Sequence, residues 1–314
     1  MNPGTEQLAG LFASVGAVGS VYAHEVGVLD GPEVSLDPDI PVVLASVFKV
    51  PFAVAYSREV SAGRLVETER TTVTSRYRVG GIGTAGCADD VEMSWRDLAL
   101  FMLTMSDNAA TDIIFHRVGQ EAVDAVLDDL GLEHTRIIGC GEDMDHQMAG
   151  DLGLDMSACL DVDAMLAAAT PEQIWAMGIL DPARTPSSTA RDIVSLLEAI
   201  WTDTAGSPET CERVRSLMAR QIWPHRMASG FDEGVQVAGK TGTLPAIRNE
   251  AGVVTYPDGR QYAVAVFTRS LTLEDPQPAI DSAIGKAARL AVDILRSGLA
   301  QPKDQGVEPV TTTL

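Results

Sequence analysis

Pro41-Val42-Val43-Leu44 reads as a strand-like run, and Ala45-Ser46-Val47-Phe48-Lys49-Val50-Pro51-Phe52 opens a helix-like one. At such a junction an i, i+3 spacing sets the Ser46 hydroxyl and the Lys49 amine on one face of the first helical turn. A base can then reach a nucleophile. Pro51 fits near a helix start, where at most the first intrahelical hydrogen bond is lost. The lysine itself is informative, because of 23 Lys and Arg residues only Lys49, Lys240, Lys286 and Lys303 are lysines. Arginine serves wherever charge alone is needed, whereas a desolvated lysine can lose its proton and act as a base.

Outward from this junction, helical spacing runs from Glu6 to Val15. Extended segments follow at Ser20–Val26 and Glu33–Val43, around the turn signal Leu29-Asp30-Gly31-Pro32. The middle of the chain is helix-patterned, at Phe52–Val60, Trp95–Met105, Thr111–Val118, Ala122–Leu130 and Ala190–Trp201, with Ser94 and Asp107 as caps. After one more helix (Cys211–Gln221), Val235–Gly239, Glu250–Tyr256 and Gln261–Thr268 read as antiparallel strands, the last two joined by Pro257-Asp258-Gly259. A final helix spans about Ala279–Arg296. Strands at both chain ends with helices between predict an α+β fold, with one antiparallel sheet built from both ends, flanked by helices and carrying an inserted all-helical domain. The expected division is 1–45 with 205–300 for the sheet domain, 46–204 for the helical one, and 301–314 as an unordered tail.

Composition removes several classes of function. A chain of 314 residues that is 46% hydrophobic carries a proper core. Its net charge of -21 repels phosphate backbones and anionic lipid, so nucleic acid and membrane are not expected partners. Cys87, Cys140, Cys159 and Cys211 match neither a C-x-x-C pair nor a zinc spacing, and the histidines show no H-E-x-x-H, so reduced thiols and no metal are expected. The N-terminus lacks a basic region before its weak apolar stretch. As it stands the chain reads as cytoplasmic, or as secreted if a leader has been removed, and as a monomer acting on a small molecule.

Two further motifs stand in suitable contexts: Ser106-Asp107-Asn108 between two helical runs, and Lys240-Thr241-Gly242-Thr243 at the end of a strand-like run. With Ser46-Val47-Phe48-Lys49, in this order, the sequence resembles the penicillin-recognising serine hydrolases: class A β-lactamases and related penicillin-binding proteins, with their S-x-x-K, S-D-N and K-T-G motifs. The resemblance extends from roughly Ser20 to Arg296. It takes in Trp95–Asp112, Leu127–Ile138, Ser188–Asp192 as the start of the helix beyond the family's omega loop, and Arg248–Thr268 as the strand pair after K-T-G.

The resemblance implies that Ser46 attacks a lactam, amide or ester carbonyl to give an acyl-enzyme. Lys49 takes the serine proton directly or through water, and Ser106 relays it to the leaving nitrogen. Asn108 would hold the substrate's amide side chain, and Lys240 and Thr241 its carboxylate. The N–H groups of Ser46 and Thr243 would form the oxyanion hole, with Gly242 between the binding residues. Arg248 resembles the family's carboxylate-binding arginine at inexact spacing, the other reading being a surface ion pair. No cofactor is implied. One departure matters: no E-x-x-L-N stands between Gly139 and Arg191 to supply the deacylating glutamate. Glu172 lies at about the right distance before Ala190, although Ala176 replaces the asparagine; the other reading is a helix-terminal acid after Thr170-Pro171. Asp155, Asp161, Asp163 and Asp181 crowd the same region. Trp175, Trp201 and Trp223 read as packing residues. β-Lactamase-like hydrolysis therefore stands beside two alternatives, a slowly deacylating penicillin-binding or D,D-peptidase-like protein and a cytoplasmic esterase or amidase.

Overall fold

Alternate residues of the central strands enter two different cores, and this two-residue period builds the molecule. The computed structural model describes residues 3–154, 162–298 and 301–302. In chain order the elements are α1 (Pro3–Ala13), β1 (Ala17–Glu25), β2 (Pro32–Leu36), β3 (Val42–Val43), α2 (Lys49–Ser61), β4 (Arg70–Val73), β5 (Val91–Ser94) and α3 (Trp95–Thr104). They continue as α4 (Asn108–Val118), α5 (Gln120–Asp129), α6 (Gly141–Asp151), α7 (Val162–Ala168), α8 (Pro171–Trp175), β6 (Ser187–Ser188) and α9 (Ala190–Trp201). The last are α10 (Pro208–Met218), β7 (Gln236–Leu244), β8 (Ile247–Thr255), β9 (Gln261–Ser270), α11 (Pro278–Ser297) and β10 (Gln301–Pro302).

Among the described residues one sheet has the order β10-β2-β1-β9-β8-β7, with antiparallel pairs throughout, built from both ends of the chain as expected. Tyr262, Val264 and Val266 of β9 face α1 and α11, while Ala263, Ala265 and Phe267 face the helical layer of α2, α3 and α9. α11 presents Ile280, Ile284, Ala287, Ala291 and Leu295 as a stripe at 3.6-residue spacing and stops at Gly298, whose φ of 70° is the left-handed cap a glycine adopts freely. Ser94, Asp107 and Thr189 cap α3, α4 and α9 through their side-chain oxygens, the first two as the sequence indicates. No described helix is long and apolar enough to cross a membrane.

The structure departs from the sequence expectation in four places. The extended segment 33–43 breaks after Leu36, because Asp37 takes a φ of 47° and turns the chain out of the sheet. β7 runs on through Lys240-Thr241-Gly242-Thr243 to Leu244, since β8 begins at Ile247 and offers it a full ladder. α6 is mostly polar and shows no apolar period, so tertiary contacts, not amphipathicity, hold it. Gln301 and Pro302, expected in the unordered tail, pair with β2, whose free edge accepts them; residues 303–314 lie outside the described residues.

Candidate active site

Ser46 sits in a 3₁₀ turn, Ala45–Phe48, wedged between β3 and α2. Ala45 holds a φ of 46°, a left-handed conformation that a non-glycine residue keeps only under tertiary constraint. The constraint is visible. Asn249 of β8 donates its side-chain N–H to the carbonyls of Val43 at 2.8 Å and Leu44 at 3.2 Å, while β3 pairs with β6. On the other side Gly242 comes so close that a Cβ there would lie 2.6 Å from the Leu44 carbonyl and 3.1 Å from Ala45 Cβ. The glycine of K-T-G thus lets β7 approach the turn that carries Ser46. Gly242→Ala is expected to displace that turn, lowering stability by about 1–3 kcal/mol and slowing acylation about 100-fold. Thermal melts and an adduct-formation time course check both.

Lys49 opens α2 and is 1% exposed. Its Nζ donates to the Ser106 carbonyl at 2.8 Å, to Ser106 Oγ at 3.2 Å and to Asn108 Oδ1 at 2.7 Å. Burial pulls its pKa down to about 8, against the opposing pull of Asp112, Asp107 and Asp145. Ser106 takes a φ of 66°, and its position follows from Asp107. That buried carboxylate caps α4 by accepting from the Ala110 N–H and is pinned by the Thr84 N–H at 2.6 Å and hydroxyl at 2.7 Å.

From β7, Lys240 is fully buried and donates to the Thr241 carbonyl at 2.8 Å. Burial, with Lys49 and Arg226 nearby, drives its pKa well below the usual lysine range. Burial also pushes Glu250 up to about 7, although Gln221 and the Met227 N–H donate to it. Arg226, which sequence reasoning missed, binds the sheet together here. Its guanidinium donates to the carbonyls of Gly242 and Asn249, both at 2.9 Å, to Thr243 Oγ1 at 2.8 Å and to Asp281 at 2.6 Å. A lone arginine in the loop Trp223-Pro224-His225-Arg226 carries no periodic signal that could have revealed it, nor does Asn249 within a strand. Arg248 is buried, not on the surface, and pairs with Asp275 and, at 3.9 Å, with Asp281.

Two chambers meet at Ser46. One, about 600 Å³, is lined by Ser106, Asn108, Trp223, Arg226, Thr241 and Thr243. The other, about 630 Å³, reaches toward α6 and α7 and is lined by Asn108, Asp145, Met148, Asp163, Ile174 and Arg248. Ser46, Asn108, Thr243 and Arg248 border both. Lys49 joins them through Ser106 and Asn108, and the neighbouring Lys240 lies in the strand beneath. Glu172 is not brought to this group. It is exposed in the first turn of α8, where its own N–H and the Thr170 hydroxyl hold its carboxyl below the usual range, and it lines neither chamber. Of the other acids, Asp181 accepts from the Ala183 N–H in an exposed turn, Asp163 borders both chambers, and Asp155 and Asp161 lie outside the described residues.

Cys87, Cys140 and Cys211 are free thiols, and Cys159 lies outside the described residues. The donor atoms of His116, Cys140 and Glu142 lie within 4.8 Å of one another, a spacing a metal could use. Burial drives the Cys140 thiol far above its usual range and it donates to Asp143 at 3.4 Å, while Arg76 donates to Glu142 at 3.1 Å. Cys140 and Glu142 thus already have hydrogen-bond partners.

The family model Beta-lactamase2, described as the β-lactamase enzyme family, matches residues 4–295. A β-lactamase regulatory protein, BlaB of Streptomyces cacaoi, is 29% identical over 295 residues, covering 90% of this chain and 94% of its own. Two solved structures share the fold. A β-lactamase from Sphaerobacter thermophilus DSM 20745 has a TM-score of 0.72 at 24% identity, covering 95% of this chain and 98% of its own. The second, PBP-A, has a TM-score of 0.73 at 22% identity, covering 95% and 97%. With a family model spanning nearly its whole length, and with an antiparallel sheet and flanking helices in common with these structures, the chain belongs to the β-lactamase enzyme family.

Proposed function

We propose that the protein is an active-site serine hydrolase that forms an acyl-enzyme at Ser46 and hydrolyses a β-lactam or a related amide. The observation that carries this reading is the buried Lys49 ammonium, held at 3.2 Å from Ser106 Oγ beside a serine in a constrained turn that opens onto both chambers. In the neutral form Lys49 takes the Ser46 proton as Oγ attacks the carbonyl carbon, and the N–H groups of Ser46 and Thr243 receive the oxyanion. The proton then passes through Ser106 to the leaving nitrogen. Arg226 and Arg248, beside their partners Asp281 and Asp275, line the first chamber and supply the cations for a substrate carboxylate, with Lys240 buried in the strand beneath.

A second reading, a slowly deacylating penicillin-binding protein, is favoured by the missing E-x-x-L-N, by the remoteness of Glu172 and by the regulatory name of the S. cacaoi relative. Intact mass against time after mixing with a penicillin and a cephalosporin separates the two. A transient adduct followed by hydrolysed product is expected. An adduct that persists for hours establishes the second reading, and no adduct with either compound directs the search to other amides and esters.

A further inference from the structure

We infer that Asp145 of α6 is the general base that activates water to hydrolyse the Ser46 acyl-enzyme, acting from the second chamber in place of the absent omega-loop glutamate. The inference rests on the acyl-enzyme reading and goes beyond it by assigning the deacylation step. Asp145 and Ser46 line the same chamber, whose roughly 630 Å³ has room for several waters next to a bound acyl group. The position of Asp145 is built, not accidental. Asp112 of α4, 3% exposed, accepts from the Gly141 N–H at 2.7 Å and the Glu142 N–H at 3.1 Å, fixing the first turn of α6. One turn further on, at i+4 from Gly141, Asp145 faces the chamber.

Elimination points the same way. Both oxygens of Asp112 are already occupied by backbone N–H groups, Asp163 and Glu274 are exposed, and Asp275, also exposed, is paired with Arg248. Glu172 lines no part of either chamber. The Asp145 carboxylate accepts no hydrogen bond from a described residue, which leaves it free to take one from water. The groups that act on it are Asp112 of α4, Lys49 of α2 and Glu142 of its own helix, and the chamber wall adds Arg248, Asp163, Glu274 and Asp275. Burial, then Asp112, pushes its pKa up to about 7 against the pull of Lys49, the range in which a carboxylate is a competent base.

The step balances without any added reagent. Water gives a proton to the Asp145 carboxylate while its oxygen bonds to the acyl carbonyl carbon. The tetrahedral intermediate collapses with cleavage of the bond from carbon to Ser46 Oγ, and the proton passes from Asp145 through neutral Lys49 to that oxygen, leaving a free carboxylic acid product. Removing the negative charge of Asp145 lowers the Lys49 pKa further and favours its neutral form, so acylation does not suffer.

The test is rapid-quench intact mass with a penicillin on the parent, Asp145→Asn and Asp145→Ala, reading adduct formation and decay separately from pH 5 to 9. Asp145→Asn is expected to acylate within about 3-fold of the parent and to deacylate at least about 100-fold more slowly. The parent's deacylation is expected to fall tenfold per unit below pH 7, a limb absent from the variant. Added formate is expected to speed decay of the Asp145→Ala adduct, which a merely structural loss would not permit. Deacylation of Asp145→Asn within 3-fold of the parent overturns the assignment, as does a parent adduct that never decays, and both leave acylation at Ser46 intact. Absence of any adduct on the parent overturns the acyl-enzyme reading and this inference together.

Discussion

Ser46→Ala is expected to abolish the covalent adduct and to reduce turnover of any β-lactam substrate by at least about 10⁴-fold. Two neighbouring hydroxyls are already engaged: Ser106 Oγ accepts from Lys49 with its backbone held at a φ of 66°, and Thr243 Oγ1 accepts from Arg226. The fold should survive, because Ser46 is only half-buried and the turn is held by Asn249, β6 and the close approach of Gly242. An unchanged melting temperature with no mass shift after hours with a penicillin is the expected pair of results. Full turnover by the alanine variant would refute the nucleophile assignment.

Lys49→Met is expected to slow acylation by about 10³-fold while leaving the protein as stable as the parent or more so. The stability sign follows from linkage. The folded-state pKa of about 8 lies below the 10.5 of an unperturbed lysine, so between these values the unfolded chain holds the proton more tightly. The parent therefore gains stability as pH rises from about 8 to 10.5, and below pH 8 it bears the full cost of a buried ammonium, about 3 kcal/mol. Methionine fills the same volume without that charge. Urea unfolding from pH 7 to 10.5 should show the rising limb in the parent and not in the variant. The catalytic counterpart is a parent acylation rate that declines tenfold per pH unit below about 8 as neutral Lys49 is depleted; a flat profile would exclude Lys49 as the base.

Much of this was legible before any coordinates. The period-2 runs at both chain ends and the 3.6-residue runs between them announce a shared sheet and a helical insertion, because alternation and amphipathic spacing are local consequences of which face is buried. Ser46, Lys49 and Lys240 stand out through short-range spacing or through the scarcity of lysine, and Ser106 through the resemblance its motif carries. What escaped notice lacks a local period. α6 is polar and is held at its start by a carboxylate 29 residues earlier. Arg226 and Asn249 act on carbonyls of strands that only the sheet brings near.

The glycine of K-T-G marks the boundary clearly. Sequence alone determines that a glycine stands at 242 and that a lysine and a serine lie three apart at a helix start. The sheet decides that Gly242 must lack a Cβ, because β7 is pressed against the Leu44 carbonyl. The same holds for the acids: by distance along the chain Glu172 is the natural candidate, yet it ends exposed on α8, while Asp145, without a motif to mark it, lines the same chamber as Ser46. Motif spacing is fixed by covalent geometry within a turn or two, and it determined that Ser46 and Lys49 stand together at one turn. Which distant carboxylate is desolvated and turned toward them depends on long-range packing, and only the tertiary structure decided it.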